Sequence, residues 1–165
     1  MKISFKCLAW LPVVIFSLFC FSGCGGSSGG TNAPDAPIEA RITTDKTTYR
    51  VGEPVRATLT FRNLSTSEQT LRSGSSSFLR VSVTPVGQTE PISFFGNAGL
   101  GVITTIRLAP GQTKQESGTW NQTIIVNGQN NVQAPAGRYI LRSALLQQTP
   151  PEKVRDVPLS ITLVN

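Results

Sequence analysis

The sequence predicts an all-β protein, built as an antiparallel β-sandwich of about eight or nine strands. After residue 38, apolar side chains recur at every second position in several short runs. Clusters of Gly, Pro, Asn and Ser separate these runs at short intervals. No long stretch carries the 3.6-residue period of an amphipathic helix. We therefore expect two facing sheets that share one core.

Three runs alternate most clearly, at 55–62, 79–84 and 157–164. In each run, aliphatic or aromatic residues alternate with residues that are mostly Arg, Thr or Ser, which places one face in the core and the other in water. Pro158 lies within the last run and cannot donate a ladder hydrogen bond. We expect it on an edge strand or facing outward.

Turn sequences lie between the runs. They are VGEP at 51–54, NLSTSE at 63–68, PVGQ at 85–88 and APGQ at 109–112. Asn127-Gly128 adds the pair that favours a tight hairpin turn.

The first residues have the layout of an export signal. Lys2 and Lys6 precede an apolar run that is shorter than a membrane-spanning helix requires. The run ends in Phe21-Ser22-Gly23-Cys24, which resembles the bacterial lipoprotein signal, with Phe21 where that motif prefers Leu. The resemblance implies a signal peptide at 1–23 and acylation of Cys24. The alternative is an ordinary signal cut nearby, which would leave a soluble secreted protein.

Residues 24–37 would then form the lipidated cysteine and a flexible Gly/Ser/Pro tether, with a reach of about 20 Å. Residues 38–165 would form the folded domain, facing away from the cytoplasm in the bacterial cell envelope. Its partners would be the membrane, through the N-terminal lipid, and a protein. The three cysteines are Cys7, Cys20 and Cys24, so the domain has no disulfide and must fold on its core alone.

Composition argues against several function classes. The chain has no histidine, and its acidic residues form no tight cluster, so we expect neither a metal site, a cofactor nor an enzyme. Without Lys2 and Lys6, thirteen basic residues face nine acidic ones, and no basic block exists. We therefore expect no nucleic-acid partner.

The stretch from Gly118 to Arg142 contains the only tryptophan after the leader. We expect Trp120 and Tyr139 to pack together in the core with Phe61. Tyr139 follows a turn, so its hydroxyl group should bond to a nearby backbone group, as in the tyrosine corner of such sandwiches.

Three segments, 47–71, 108–123 and 134–145, resemble the intracellular proteinase inhibitor (BsuPI) family. The matching residues are Tyr49, Gly52, Glu53, Phe61, Asn63, Pro110, Gly111, Thr119, Trp120, Asn121, Gly137 and Tyr139. The resemblance implies an immunoglobulin-like β-sandwich and proteinase inhibition. The chain departs from the family in lacking tryptophan at 92–105 and in carrying an export signal.

Two segments are candidate recognition surfaces. The first is 93–105, where Phe94, Phe95, Asn97 and Leu100 would form a recognition loop. The alternative makes Phe94 and Phe95 one rim and one core residue of a strand. The second segment is the Asn- and Gln-rich insert at 121–133.

In that insert, Asn127, Gln129 and Asn130 would recognise a partner, unless the segment is a simple solvated hairpin. The sequence therefore favours a membrane-anchored extracytoplasmic binding module, with proteinase inhibition implied by the resemblance. The alternative is an envelope interaction or assembly lipoprotein that inhibits nothing.

Overall fold

A computed structural model describes residues 36–97, 100–126, 129–144 and 153–165. This part of the chain contains thirteen strands. They are β1 Ile38–Thr44, β2 Thr48–Arg50, β3 Val55–Asn63, β4 Gln69–Ser73, β5 Arg80–Pro85, β6 Ser93–Gly96, β7 Thr104–Leu108, β8 Thr113–Trp120, β9 Thr123–Val126, β10 Gln129–Gln133, β11 Gly137–Ser143, β12 Val154–Val157 and β13 Leu159–Val164. In this part of the chain, no helix is long and apolar enough to cross a membrane.

Two sheets form an immunoglobulin-like β-sandwich, so the predicted fold class is confirmed. The first sheet has four strands in the order β12-β1-β3-β8, and the second has five in the order β2-β13-β11-β5-β6. Neighbours are antiparallel except for β1 with β12 and β2 with β13. The predicted count of strands matches these two sheets alone. The pairs β4–β7 and β9–β10 form two further small sheets that the alternation did not reveal.

The alternating runs lie where the pattern predicts. In β3, Val55, Ala57, Leu59 and Phe61 are all at most 1% exposed, while the residues between them are exposed or half-buried. Side chains from both main sheets join them in one buried cluster. Just before β1, Ala36 is buried and the carbonyl group of Pro37 accepts a hydrogen bond from the Leu64 N–H. The leader, Cys24 and the tether up to residue 35 lie outside the described residues.

The run at 157–164 is not one strand. β12 pairs in parallel with β1 in the first sheet, whereas β13 pairs with β11 in the second. Pro158 lies between them and is exposed, which fits a residue that cannot donate to a ladder. The proline therefore marks the point where the chain passes from one sheet to the other. Leu79 is a smaller departure, because it is buried but precedes β5.

Three of the predicted turns are closed by a hydrogen bond and contain a glycine with positive φ. In the first, the Glu53 N–H donates to the carbonyl oxygen of Arg50 at 3.0 Å, with Gly52 at φ 87°. The Gln88 N–H donates to the carbonyl oxygen of Pro85 at 3.0 Å, with Gly87 at φ 91°. The Gln112 N–H donates to that of Ala109 at 3.0 Å, with Gly111 at φ 72°. Glycine adopts this left-handed backbone more easily than other residues, which explains its place in all three turn sequences.

The contact between Trp120 and Tyr139 is confirmed. Their rings meet edge to face with centroids 5.9 Å apart, and each side chain is at most 3% exposed. The Tyr139 hydroxyl group donates to the carbonyl oxygen of Pro135 at 2.7 Å, the backbone bond that the sequence predicted. Phe61 is also buried, at 1% exposure.

Asn63, at the end of β3, is fully buried and organises the following loop. Its amide group donates to the carbonyl oxygens of Ser67 and Leu108, each at 2.8 Å. Its side-chain oxygen accepts from the N–H and the hydroxyl group of Ser65, at 2.9 and 2.8 Å. The buried amide group of Asn63 thus has a hydrogen-bond partner for each of its polar atoms. These hydrogen bonds fix the conformation of the loop after β3.

Replacing Asn63 with Ala should lower the free energy of unfolding by about 2–4 kcal/mol, because it leaves buried partners unpaired. Urea denaturation of the purified domain measures this change. Thr66→Ala, in the same loop and exposed, is the control and should change stability by less than about 0.5 kcal/mol. Equal stability of the two variants would contradict the role assigned to Asn63.

Candidate functional site

The segment between β6 and β7 exposes apolar side chains to solvent. Leu100 is 73% exposed, Ile103 59% and Val102 48%. We call residues 100–103 the β6–β7 loop. Because three large aliphatic side chains leave about half or more of their surface in water within four residues, the loop is a candidate contact surface.

Two reciprocal hydrogen bonds with Ser76, which we call the clamp, hold the backbone of Leu100. Its N–H donates to the Ser76 hydroxyl oxygen at 2.9 Å, and its carbonyl oxygen accepts from the Ser76 N–H at 3.0 Å. The same carbonyl oxygen accepts from the N–H of Val102 at 2.8 Å. The backbone that presents the Leu100 side chain is therefore fixed against the segment that follows β4.

The carboxylate of Glu116, on β8, holds the segments on both sides of the clamp between Ser76 and Leu100. It accepts hydrogen bonds from the Ser77 hydroxyl group at 2.6 Å, from the N–H groups of Phe78 and Leu79 at 2.7 and 3.1 Å, and from the Asn97 amide group at 2.7 Å. One side chain thus connects β8 to both segments that flank the clamp.

Burial of Glu116 acts to raise its pKa, but the hydrogen bonds from Ser77, Asn97, Phe78 and Leu79 outweigh it. The net result is a pKa below the ordinary value of the carboxyl group. The ionised form is therefore the one that the structure stabilises.

The backbone of Gly96 also packs closely against the backbone of Leu79, in the segment that carries Ser77. A Cβ atom on Gly96, at the end of β6, would lie 1.9 Å from the carbonyl oxygen of Leu79. Since no real Cβ atom tolerates that distance, only glycine fits at this position.

Phe94 and Phe95 have different environments. Phe95 is 9% exposed and stacks on Trp120, with ring centroids 6.3 Å apart at an interplanar angle of 15°. Phe94 is 48% exposed, and the Arg80 guanidinium group lies 5.0 Å from its ring centroid. The expectation that both rings would be exposed anchors is wrong for Phe95, because strand alternation turns it inward. The alternative, one core and one rim residue, is correct.

Asn97 is exposed, but its amide group is engaged. Besides its bond to Glu116, it donates to the carbonyl oxygen of Ser117 at 3.3 Å. Asn97 therefore supports the loop and is not free to contact a partner through its amide group. Leu100, by contrast, is the most exposed large apolar side chain among the described residues.

The second candidate segment forms the antiparallel pair β9–β10, with an irregularity between Gln129 and Val132. Asn127 lies outside the described residues. Gln129 and Asn130 are part of β10, and their predicted role in recognition stays a prediction.

Gln122, at the base of the insert, is a buried residue that sequence reasoning missed. It is 0% exposed, and its φ of 55° is in the left-handed region. Its side-chain oxygen accepts from the N–H of Gly52 at 2.7 Å, and its amide group donates to the carbonyl oxygen of Arg50 at 2.9 Å. Its carbonyl oxygen accepts from the N–H of Ala134 at 2.7 Å. The insert is thus attached to the turn between β2 and β3.

Ser76, Glu116, Val102 and Ile103 are further site residues that the sequence did not single out. A weak signal exists for the last two, because adjacent aliphatic residues break the alternation expected of a strand. Ser76 and Glu116 give no local signal, since their partners lie far along the chain. Within the described ranges, no group of three His, Cys, Asp or Glu residues could hold a metal ion.

The fold defines an all-β sandwich domain with two small accessory sheets. The chain belongs to a family described as a family of unknown function (DUF7974), whose family model matches residues 33–163. No curated protein matches the chain.

Some solved structures match the chain at low similarity. A β-glucosidase from Erythrobacter marinus is 12% identical with a TM-score of 0.47, over 77% of this chain and 15% of its own. A β-glucosidase from Listeria innocua is 11% identical with a TM-score of 0.45, over 78% and 16%. The CARDB domain of the PF1109 protein from Pyrococcus furiosus is 13% identical with a TM-score of 0.41, over 77% and 87%. The chain spans 15–16% of the length of these β-glucosidases, and such likenesses carry no information on function.

Replacing Glu116 with Gln should lower the free energy of unfolding at neutral pH by about 1–2 kcal/mol, because an NH₂ group then faces hydrogen-bond donors. The pKa of Glu116 is lowered in the fold, so its stabilising effect is complete above the unfolded pKa. It is lost as the pH falls through the folded pKa. The difference in free energy of unfolding between wild type and variant, the gap, should therefore narrow below pH 4.5, the ordinary pKa of this carboxyl group.

Urea denaturation of both proteins across this pH range measures the gap. Glu68→Gln, an exposed carboxylate, is the matched control and should show no gap at neutral pH. A gap for Glu116→Gln that persists undiminished in acid would contradict the assignment.

Proposed function

We propose that this chain is a membrane-anchored, extracytoplasmic protein-binding module that contacts its partner through the β6–β7 loop. The observation that carries the proposal is the combination of Leu100, Val102 and Ile103 exposed together on a backbone that Ser76 clamps. Apolar anchors that fill a partner's pocket supply most of the energy of many protein interfaces.

The clamp matters because ordering a loop on binding costs free energy. A loop that is already fixed avoids part of that cost, and well-ordered binding surfaces move little when they dock. Glu116 contributes to the same effect by holding both segments on which the clamp depends. The loop therefore has the properties of a preformed binding element.

The anchor and the compartment rest on the leader. Phe21-Ser22-Gly23-Cys24 supports lipidation at Cys24, and the Gly/Ser-rich segment after it would keep the domain near the membrane surface. The absence of cysteine after Cys24 is compatible with an oxidising compartment, because no thiol there would be oxidised.

Proteinase inhibition is the specific activity that the resemblance to the BsuPI family suggests. A rigid loop with an exposed leucine at its start fits an enzyme cleft that accepts an aliphatic side chain. The alternative is an envelope interaction or assembly lipoprotein that uses the same loop without blocking an enzyme.

A soluble form that begins at Gly25 should inhibit at least one protease from a panel of bacterial envelope proteases. Leu100→Asp should weaken inhibition about tenfold or more, because a charge cannot enter an apolar pocket without a large desolvation cost. Residual protease activity at increasing inhibitor concentration is the measurement. Val86→Asp, which changes an apolar residue of 46% exposure in a different turn, is the control.

Loop-dependent capture of an envelope protein without inhibition of any protease would favour the interaction protein. Binding that Leu100→Asp leaves unchanged would contradict the role of the loop in both functions.

The full-length chain expressed in a bacterium should incorporate radiolabelled palmitate and lose its first 23 residues, as the mass of the product shows. Cys24→Ser should abolish the label, since it removes the acylated sulfur atom. Cys20→Ser, a cysteine within the leader, should leave labelling intact. An unlabelled wild-type chain, or a mature N-terminus elsewhere, would exclude the lipid anchor.

A further inference from the structure

The outer face of the second sheet gathers arginines that lie far apart in the sequence. Alternation along its five strands turns one set of side chains outward, away from the buried core cluster. This outward set includes Arg50 of β2, Arg80 of β5, and Arg138 and Arg142 of β11. The other outward positions of these strands hold only uncharged residues. We call this surface the arginine face.

The register of the strands brings most of these side chains close together. Arg142 pairs with Ser82, and Ser82 pairs with Phe94. Arg80 lies two residues before Ser82 on β5, so it is a diagonal neighbour of both Arg142 and Phe94. Its guanidinium group lies 5.0 Å from the centroid of the Phe94 ring. Arg138 lies on β11 roughly 13 Å from Arg142. Three arginines and one aromatic ring therefore share one continuous part of the surface.

Little negative charge opposes these arginines. Asp156, at the edge of the sheet, lies 3.4 Å from Arg142. Glu53 accepts a hydrogen bond from the N–H of Arg50, but its carboxylate pairs with Lys46. Three exposed arginines of the face have no ion pair within the described ranges, and they are Arg50, Arg80 and Arg138. Their guanidinium groups are thus available to an anionic partner.

The outer face of the first sheet has a different balance of charge. It also carries four arginines, but Glu39 lies among them and accepts hydrogen bonds from Arg41 at 3.1 Å and from Arg155. Asp45, directly after β1, adds a second carboxylate beside Arg56, since its N–H donates to the carbonyl oxygen of Arg56 at 3.4 Å. Negative charge is therefore interspersed on the first face, whereas it is confined to the edge of the arginine face.

We propose that the arginine face docks the domain on the surface of an anionic phospholipid membrane. Each guanidinium group can bond to a lipid phosphate group, and the half-exposed ring of Phe94 can enter the boundary between headgroups and acyl chains. In the cell this docking rests on the proposed lipid anchor at Cys24, because a tether that reaches about 20 Å keeps the face near the membrane and makes weak binding sufficient. The docking gives the anchored domain an orientation, with the second sheet toward the lipid and the first sheet away from it.

The test uses the soluble form that begins at Gly25, which retains every described strand, and measures its sedimentation with lipid vesicles. Because this form lacks the lipid anchor, the result does not depend on whether Cys24 is acylated. One set of vesicles contains phosphatidylglycerol, and the zwitterionic control set contains only phosphatidylcholine. At about 0.01 M salt, where screening is weak, we expect binding to the phosphatidylglycerol vesicles alone. Salt at about 1 M should release the protein.

The double variant Arg80→Gln with Arg138→Gln should bind the phosphatidylglycerol vesicles about twentyfold more weakly, since each arginine near an anionic membrane contributes about fivefold. Arg56→Gln with Arg62→Gln is the matched control, because it removes the same charge from the outer face of the first sheet. This control should weaken binding about threefold or less. Far-ultraviolet circular dichroism confirms that each variant is folded.

Absence of binding to phosphatidylglycerol vesicles would overturn the proposal. Equal binding to phosphatidylcholine would overturn it as well, because apolar contacts of the β6–β7 loop would then hold the protein. Equal losses for the two double variants would also overturn it, since the net charge of the whole domain would then attract the protein. Arginine-dependent binding of soluble polyglutamate without binding to vesicles would do the same, because the face would then recognise a polyanion in solution.

Discussion

The packing of Trp120 holds together the parts of this domain that matter for binding. Its ring lies edge to face against Tyr139 of the second sheet and stacks on Phe95 of the edge strand β6. Its indole N–H also bonds to Thr123, at the start of the insert. Truncation of a buried tryptophan of this kind costs about 3–5 kcal/mol in typical cores. The first sheet, the edge strand and the insert therefore depend on one side chain.

Around that aromatic contact, polar side chains with long-range partners set the loops. Asn63, Gln122 and Glu116 each bond to backbone groups of a different connection, and each satisfies its partners inside the protein. Apolar burial makes the sandwich stable, but it does not choose loop conformations, because it is not directional. The hydrogen bonds of these three residues are directional, so they fix the conformations of the loops. As a result the chain presents a fixed apolar loop.

A structural feature can be predicted from the sequence when the residues that produce it lie close together along the chain. Alternation in β3 and the glycines at 87 and 111 act within a few residues, so they could be predicted from the sequence. The bond between Tyr139 and Pro135 also spans only four positions. Glu116 reaches Ser77 over 39 positions and Gln122 reaches Gly52 over 70, and no local pattern encodes such pairs. For the same reason the pattern at 157–164 reads as one strand, although Val157 ends a strand of the first sheet and residues 159–164 form a strand of the second.

The passage of the chain at Pro158 has a consequence for how the domain is made. β2 finds its only described sheet partner in β13, and β12 covers the outer edge of β1. Both sheets therefore stay incomplete until β12 and β13 have been synthesised, and contacts of such large sequence separation form slowly. A chain built in this way should therefore stay partly unfolded for longer during synthesis than one whose strands pair only with their neighbours in sequence.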